Sequence, residues 1–413
     1  MPALFPLTPA RLRSSAGRLV RRLGLQPGGE PDALGEDARL GDVVLDQRVV
    51  VFFPEPPRNA YQLEQWLGPL TALHERHGVV VLTQDSRTTA RLRQVTALPV
   101  LCVAWTATME GLVRRGRLAV ALYVSHHPRN FAFLRWPELA HVHLGHGDSD
   151  KAVSASNQLK AYDRVFVAGQ AGADRVLDTL MWFDADRLVH VGRPGLERLP
   201  ERRRPAGAPA TVLYAPTWEG AQQSMSYSSV RSHGVALVRS LLAAGYRVVY
   251  RPHPRTGANR ADVRAADAAL RAVFAEEAVA ATGSAVDPGR PVPEAFADAD
   301  VLVTDVSSLA VEWLPTGRPV VVTVPAEPGA VVAASPLLDA VPRLAADAAA
   351  GAGGLVRRCL ADDAEHDVRA RLRVHHLGDP ADGPATDRFL TACTDVLAAR
   401  DARQPARTPG VGR

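Results

Sequence analysis

Val301-Leu302-Val303-Thr304-Asp305-Val306-Ser307-Ser308-Leu309-Ala310-Val311-Glu312-Trp313, followed at once by Gly317-Arg318-Pro319-Val320-Val321, carries the pattern that decides the fold. Three consecutive apolar residues ahead of Thr304 suit a strand covered on both faces. A short polar turn then leads into a helical stretch, and Gly-x-Pro returns the chain to another apolar run. Strand, turn, helix and strand in that order are the unit from which a parallel sheet is built. The turn offers unpaired backbone N–H groups at the positive end of the helix dipole, with two hydroxyls beside them, so it suits a phosphate. A plain helix cap by Asp305 or Ser307 is compatible with that role. Thr304, Asp305, Ser307 and Ser308, with Glu312 in the helix, are the candidate ligand contacts of this segment.

The same alternation runs outward in both directions. From Leu45 to Val191 the runs Val49–Phe53, Val79–Thr83, Val100–Ala104, Leu118–Val124, Ala140–Leu144, Val165–Ala168 and Leu188–Val191 read as strands. Helical patterns lie near Tyr61–His77, Thr88–Gln94, Ser154–Tyr162 and Ala173–Leu180. Arg193-Pro194-Gly195 and the Arg/Pro/Gly-rich stretch 201–209 interrupt the pattern, which restarts with Val212–Tyr214, Arg247–Tyr250, Val301–Thr304 and Val320–Val324. Helices are expected there near Val230–Ala244, Arg260–Ala275 and Leu309–Trp313. The expectation is therefore α/β, with two Rossmann-like doubly wound domains facing a cleft, because such sheets take ligands outside the carboxyl ends of their strands. The boundaries read as a basic segment 1–40, an acceptor-side domain 41–195, a donor-binding domain 210–385, a helix 386–400 and a disordered tail 401–413. The Ala/Gly/Pro-rich stretch 326–354 gives no readable element.

At 413 residues the chain is long enough for two domains, and 46% hydrophobic with 22% charged residues is ordinary for a globular protein. The net charge of +4 is unevenly placed. Five arginines and no acid give +5 over residues 1–24, and four arginines against Asp401 give +3 over 400–413, which leaves −4 for the body. A nucleic-acid-binding face is not expected from a basic excess confined to the ends. Cys102, Cys359 and Cys393 form no C-x-x-C and read as buried thiols. Neither an apolar run of membrane-spanning length nor a secretory signal is present, so a cytoplasmic protein is expected. As a helix, residues 11–24 would gather Leu12, Ala16, Leu19, Val20 and Leu23 on one side and arginines elsewhere, which would suit peripheral contact with the anionic inner face of a membrane.

Three further strand ends carry chemistry. Tyr250-Arg251-Pro252-His253-Pro254-Arg255 fixes an imidazole between prolines at a strand exit, with Arg251 or Arg255 to neutralise a phosphate. Tyr214-Ala215-Pro216-Thr217-Trp218 offers Thr217 as a phosphate contact and Trp218 as a wall or a packing residue. His141-Val142-His143-Leu144-Gly145-His146-Gly147-Asp148-Ser149-Asp150-Lys151 puts His146 at a strand end between glycines, where a neutral imidazole could take a proton with Asp148 or Asp150 orienting it. A histidine metal site is the competing reading, but no Cys or carboxylate ligand set stands at metal spacing, so no metal is expected. Neither G-x-x-x-x-G-K-[ST] nor G-x-G-x-x-G occurs, which argues against a P-loop NTPase or a dehydrogenase.

Taken together these blocks resemble the CDP-glycerol glycerophosphotransferase family, the teichoic-acid primases and polymerases of bacterial walls. The family pattern is a His-Gly element late in the first domain, then Tyr-Ala-Pro-Thr, Pro-His and Thr-Asp-x-Ser-Ser. Here those are His146-Gly147, Tyr214–Thr217, Pro252-His253 and Thr304–Ser308, in the same order over roughly residues 120–325. The family's Trp-His-Gly-Thr-Pro-Leu-Lys element reads Gly145-His146-Gly147-Asp148-Ser149-Asp150-Lys151 instead. The resemblance implies a GT-B-like fold without a cofactor. It implies transfer of glycerol phosphate, or a related polyol phosphate, from a CDP-activated donor to a lipid-linked or polymeric cell-wall or capsule acceptor, with release of CMP. It also matches His146 and His253 to the family's essential histidines, and Ser307 and Ser308 to residues around the donor pyrophosphate. A GT-B nucleotide-sugar glycosyltransferase, a 2-epimerase-like enzyme and a non-catalytic nucleotide-binding relative are the alternatives.

Overall fold

The structure, a computed structural model, describes residues 32–147, 155–196, 199, 202, 204–332 and 334–403. Residues 1–31 of the basic segment 1–40, Asp148, Asp150 and residues 404–413 of the tail expected over 401–413 lie outside the described residues, and 401–403 are helical. The chain divides into two compact units. One comprises the described residues up to His146, with Lys160–Val165 and the chain from Leu390; the other comprises Gly147, 155–159 and Phe166–Phe389.

Two sheets organise the molecule. The first contains β1 (Val49–Phe53), β2 (Val79–Thr83), β3 (Val100–Cys102), β4 (Val120–Tyr123), β5 (Ala140–His143), β6 (Arg164–Val167) and β7 (Leu188–His190), in the order β3-β2-β1-β4-β5-β6-β7. The second contains β8 (Thr211–Ala215), β9 (Arg247–Tyr250), β10 (Ala285–Val286), β11 (Val301–Thr304), β12 (Val320–Thr323) and β13 (Arg343–Leu344), in the order β10-β9-β8-β11-β12-β13. Pairing is parallel: Val49 stands opposite both Val79 and Val120, and Leu302 lies between Leu213 and Val320. Both sheets thus begin in the middle, run to one edge and then to the other. Their switch points fall between β1 and β4 and between β8 and β11, where ligands bind in sheets of this kind.

The second sheet shows why the sequence folds this way. Leu213, Ala215, Leu302, Val320 and Val322 pack on one face with Phe296, Trp313 and Leu337. Their neighbours in the chain, Val212, Tyr214, Val301, Val303 and Val321, pack on the other face with Leu237, Leu270 and Phe274. Successive strand residues point to opposite faces, so two apolar faces require strands that are apolar throughout, covered by helices on both sides.

Several elements differ from the expectation for physical reasons. The single helix expected over Tyr61–His77 is two, Tyr61–Glu64 and Leu67–His77. Pro69 has no N–H to give to the carbonyl of Gln65, so a continuous helix would lose a bond there, while a proline in a first turn costs nothing. Helix Thr106–Arg115, which buries Met109, Leu112 and Val113 on one face, is not among the expected elements, and the two-residue strands β10 and β13 carry too little periodic signal to be read. In the unread stretch 326–354, Ser335 caps helix Pro336–Ala340 by accepting the Leu338 N–H at 3.3 Å. The described part of the helix expected near Ser154–Tyr162 is a 3-10 segment, Asn157–Ala161. The last helix, Ala385–Arg403, is anchored within the first unit by Asp401, which pairs with Arg48 at 2.8 Å, and by Thr394, which meets His77 at 2.8 Å. Among the described residues no helix is long and apolar enough to cross a membrane. All three cysteines are buried and unbridged.

Candidate functional site

His146 is built from the loop that leaves β5. Gly145 takes φ +68°, a left-handed conformation that glycine adopts without strain, and so turns the chain sharply at the strand end. Two side chains from the broken helix hold that turn. Trp66 Nε1 donates to the Gly145 carbonyl at 2.8 Å and Gln65 Nε2 donates to the His146 carbonyl at 2.5 Å. The ring itself is oriented by Nδ1, which lies 2.9 Å from the Val124 carbonyl at the end of β4. A carbonyl only accepts, so the neutral ring carries its proton on Nδ1 and keeps its lone pair on Nε2. Tyr61 meets the ring edge-on at 6.3 Å between centroids. The orienting partner that the sequence suggested, Asp148 or Asp150, lies outside the described residues, and the Val124 carbonyl is the partner of Nδ1.

The neighbouring histidines divide by environment. His141 is a satisfied core residue, with Nδ1 2.9 Å from the Tyr123 hydroxyl and Nε2 3.0 Å from the Trp136 carbonyl. His143 is 4% exposed and stacks on His126 at 4.4 Å. Burial lowers the pKa of His126 to about 4 and of His143 well below its ordinary value, with the adjacent imidazoles adding to the effect. Both rings are therefore neutral near pH 7. Because the folded chain holds these protons less tightly than the unfolded chain does, the unfolded state binds more protons between about pH 6.5 and 4. Stability should fall on acidification through that window, by at most about 1.4 kcal/mol per pH unit for each such histidine. Urea unfolding followed from pH 7 to 5 tests this. His126→Gln should flatten the profile, and an unchanged slope would remove His126 as a contributor.

In the second unit, Asp305 is fully buried and joins three strand ends. Its carboxylate accepts the Thr217 N–H at 2.7 Å, the Ser229 N–H at 3.2 Å and the Thr323 hydroxyl at 2.6 Å. Burial raises its pKa against the pull of these donors. Thr304 is equally enclosed, donating to the Ala215 carbonyl at 2.7 Å and meeting the Ser307 hydroxyl at 3.1 Å. Ser307 occupies the position before helix Ser308–Glu312, but its side chain makes no capping bond, and Asp305 is turned toward β8 and β12 instead. The helix is only five residues long, so any anion there is met mainly by local N–H groups and hydroxyls rather than by a long dipole. Glu312 is 6% exposed and pairs with Arg193 at 3.3 Å. Arg251 pairs with Asp287 at 2.9 Å, and Asp287 also takes the Gly289 and Arg290 N–H groups.

His253 is held in the loop after β9, where its Nδ1 accepts the Arg255 N–H at 3.0 Å. That contact puts the proton of the neutral ring on Nε2, the converse of His146. Trp218 stacks on His253 with centroids 6.3 Å apart, and the Arg255 guanidinium sits 3.7 Å above the Trp218 ring. Glu219, the residue after Trp218, binds the two loops together. It is 2% exposed and accepts the N–H groups of Gly257, Asn259 and Arg260 at 2.9, 2.8 and 3.2 Å. Nothing in Trp218-Glu219-Gly220 announces that task; only the return of the β9 loop does. A Cβ at Gly147 would stand 3.1 Å from Ser308 Cβ, which explains a glycine at that position. Thr217, Asp305, Ser307 and Ser308 thus cluster at the β8/β11 switch point, with the His253 loop leaving the adjacent strand. Among the described residues no group of three or more His, Cys, Asp or Glu is disposed to hold a metal ion.

Comparison with solved structures finds the same fold in several proteins. A variant of the wall teichoic acid polymerase TagF is 12% identical with a TM-score of 0.57, over 94% of this chain and 97% of that one. Another variant of that polymerase, soaked with CDPG, is 13% identical with a TM-score of 0.55, over 94% and 97%. A glycosyltransferase from Rickettsia africae is 10% identical with a TM-score of 0.52, over 86% and 98%. The MnaA–UDP co-structure from S. aureus is 11% identical with a TM-score of 0.53, over 86% and 97%. These likenesses establish the GT-B-like α/β fold. Comparison with curated proteins gives no match. The family model of CDP-glycerol:poly(glycerophosphate) glycerophosphotransferase matches residues 143–327, a span that holds His146-Gly147, Tyr214–Thr217, Pro252-His253 and Thr304–Ser308. The family that these four blocks resemble is therefore the family whose model this chain matches, CDP-glycerol:poly(glycerophosphate) glycerophosphotransferase.

Proposed function

We propose that the protein transfers glycerol phosphate, or a related polyol phosphate, from a CDP-activated donor to a hydroxyl of a cell-wall or capsule polymer intermediate. The observation that carries this reading is the cluster of Thr217, Ser307 and Ser308 at the second switch point, with His253 on the adjoining loop, inside the span matched by the glycerophosphotransferase model. Fold alone would fit a nucleotide-sugar transferase equally well, so the site has to decide. In the reaction the acceptor oxygen attacks the polyol-bearing phosphorus, its proton passes to Nε2 of His146, and the bond from that phosphorus to the oxygen of CMP breaks. Ser307, Ser308 and the Nε2–H of His253 take the donor's phosphate oxygens, and Thr217 borders them. Asp305 and Thr304 hold the turn in shape, while Glu312 and Arg251, each in an ion pair, position the surrounding backbone.

Incubating the purified chain with a panel of CDP- and UDP-activated donors, and identifying the released nucleotide by mass spectrometry, tests the reading. CMP from CDP-glycerol is expected. UDP from a UDP-sugar, with no CMP, would transfer the protein to the glycosyltransferases. The donor contact has its own test. Because the Ser307 side chain does not cap the helix and only its contact with Thr304 is lost, Ser307→Ala with Ser308→Ala should lower stability by no more than about 1 kcal/mol. Loss of two hydrogen bonds to charged oxygens should weaken CDP-glycerol binding by about 10- to 100-fold in calorimetry. Donor affinity equal to wild type would place the phosphates elsewhere.

A further inference from the structure

The carboxyl edge of the first sheet holds a cavity that the donor chemistry leaves unused. It measures about 260 Å³ and is lined by Gln84, Ala104, Thr106, Met109, Arg129 and Ala132. Gln84 follows β2, Ala104 and Thr106 follow β3, and Arg129 and Ala132 follow β4. This is the edge on which open parallel sheets take their ligands. Ligand cavities commonly span about 300–1,000 Å³, so this one suits a single small unit rather than a length of polymer.

Its chemistry is specific. Arg129 is exposed, and none of the ion pairs among the described residues includes it. No carboxylate lines the cavity, so that guanidinium is its dominant charge. Gln84 Oε1 is buried without a hydrogen-bond partner, and its amide can turn either its oxygen or its nitrogen inward. Thr106 adds a hydroxyl. Two large aromatic residues adjoin the lining in the chain: Trp105, 61% exposed, between Ala104 and Thr106, and Phe131, 51% exposed, before Ala132. A cation, an amide oxygen without a partner, a hydroxyl and the apolar Met109 and Ala132 together match a small molecule with an anionic end and a hydroxylated carbon skeleton.

We infer that this cavity seats the terminal unit of the acceptor, a phosphorylated polyol. Its phosphate meets Arg129, its hydroxyls meet Gln84 and Thr106, and its carbon skeleton lies against Met109 and Ala132. The inference rests on the transferase reading above, and it adds a place for the second substrate to a chain whose donor residues lie after β8, β9 and β11.

Titration of the full chain with three probes tests it: sn-glycerol 3-phosphate, a synthetic dimer of glycerol phosphate, and inorganic phosphate. Binding is followed by saturation-transfer NMR and calorimetry, with CDP-glycerol affinity measured on the same samples. The two glycerol phosphates should bind, the dimer more tightly if the site serves a chain end, and inorganic phosphate much more weakly. Arg129→Ala should weaken both glycerol phosphates by tenfold or more and Gln84→Leu by about fivefold, with CDP-glycerol affinity unchanged in each variant. Arg129 is a surface residue, so its variant should unfold with the wild-type midpoint. Equal probe binding by wild type and both variants, or inorganic phosphate competing as well as glycerol 3-phosphate, would overturn the assignment. If CDP-glycerol fails to bind while the polyol phosphates bind through Arg129, the cavity stands and the donor reading falls.

Discussion

Replacing His146 by Ala should leave CDP-glycerol affinity near wild type and lower CMP release at saturating donor and acceptor by about 10²–10⁴, the range of general acid–base catalysis. The expectation rests on the tautomer. Nδ1 is committed to the Val124 carbonyl at 2.9 Å, so the basic lone pair stands on Nε2. The Trp66 and Gln65 bonds to the backbone of Gly145 and His146 fix the ring's attachment, so little reorganisation is needed when the acceptor arrives. His143→Ala is the control. That ring is buried against His126 and Tyr162, and its loss should lower stability while changing turnover far less. A His146→Ala enzyme with near-normal turnover would overturn the assignment. So would one that loses donor binding yet turns over normally at saturation, and Asp148 or Asp150 would then be the better base.

How much of this was legible before folding depends on the length of the signal. Val301–Thr304 and Arg247–Tyr250 were read to the residue, because a short valine-rich run that stops at Asp305 or just before Pro252 has few other uses. The two-residue edge strands were not, since Ala285-Val286 and Arg343-Leu344 become strands only when a neighbouring strand offers its ladder. The break at Gln65-Trp66 needed Pro69 to be weighed as a missing donor rather than as a tolerated first-turn residue. At the sites, the types of residue could be read, but their partners could not. That His146 and His253 carry opposite tautomers depends on the Val124 carbonyl and the Arg255 N–H, and the first of these lies 22 residues away. Glu219, likewise, joins N–H groups about 40 residues further along the chain. Local patterns name the elements; the loops that close upon one another set proton positions, and no periodicity records that closure.

Asp305 is where that closure has its largest consequence for stability. Its carboxylate satisfies two backbone N–H groups and one hydroxyl inside the second unit, drawing the turns after β8 and β11 to the end of β12. Asp305→Ala would leave those donors buried without acceptors and open a small cavity, at a combined cost of about 3–5 kcal/mol. For a unit of this size that corresponds to a fall in the thermal midpoint on the order of 10 °C. Asp305→Asn keeps the shape and one acceptor oxygen but turns an NH₂ toward groups that already donate, so it should fall between wild type and Ala. The loss should reach the ligand as well. Thr217 is held by its N–H, and Ser307 follows Asp305 by two residues, so CDP-glycerol affinity measured well below the midpoint should drop even though the carboxylate itself is fully enclosed. An Asp305→Ala protein that unfolds within 1 °C of wild type would show that the three bonds are replaceable. One that loses stability but keeps full donor affinity would separate the brace from the site it is proposed to shape.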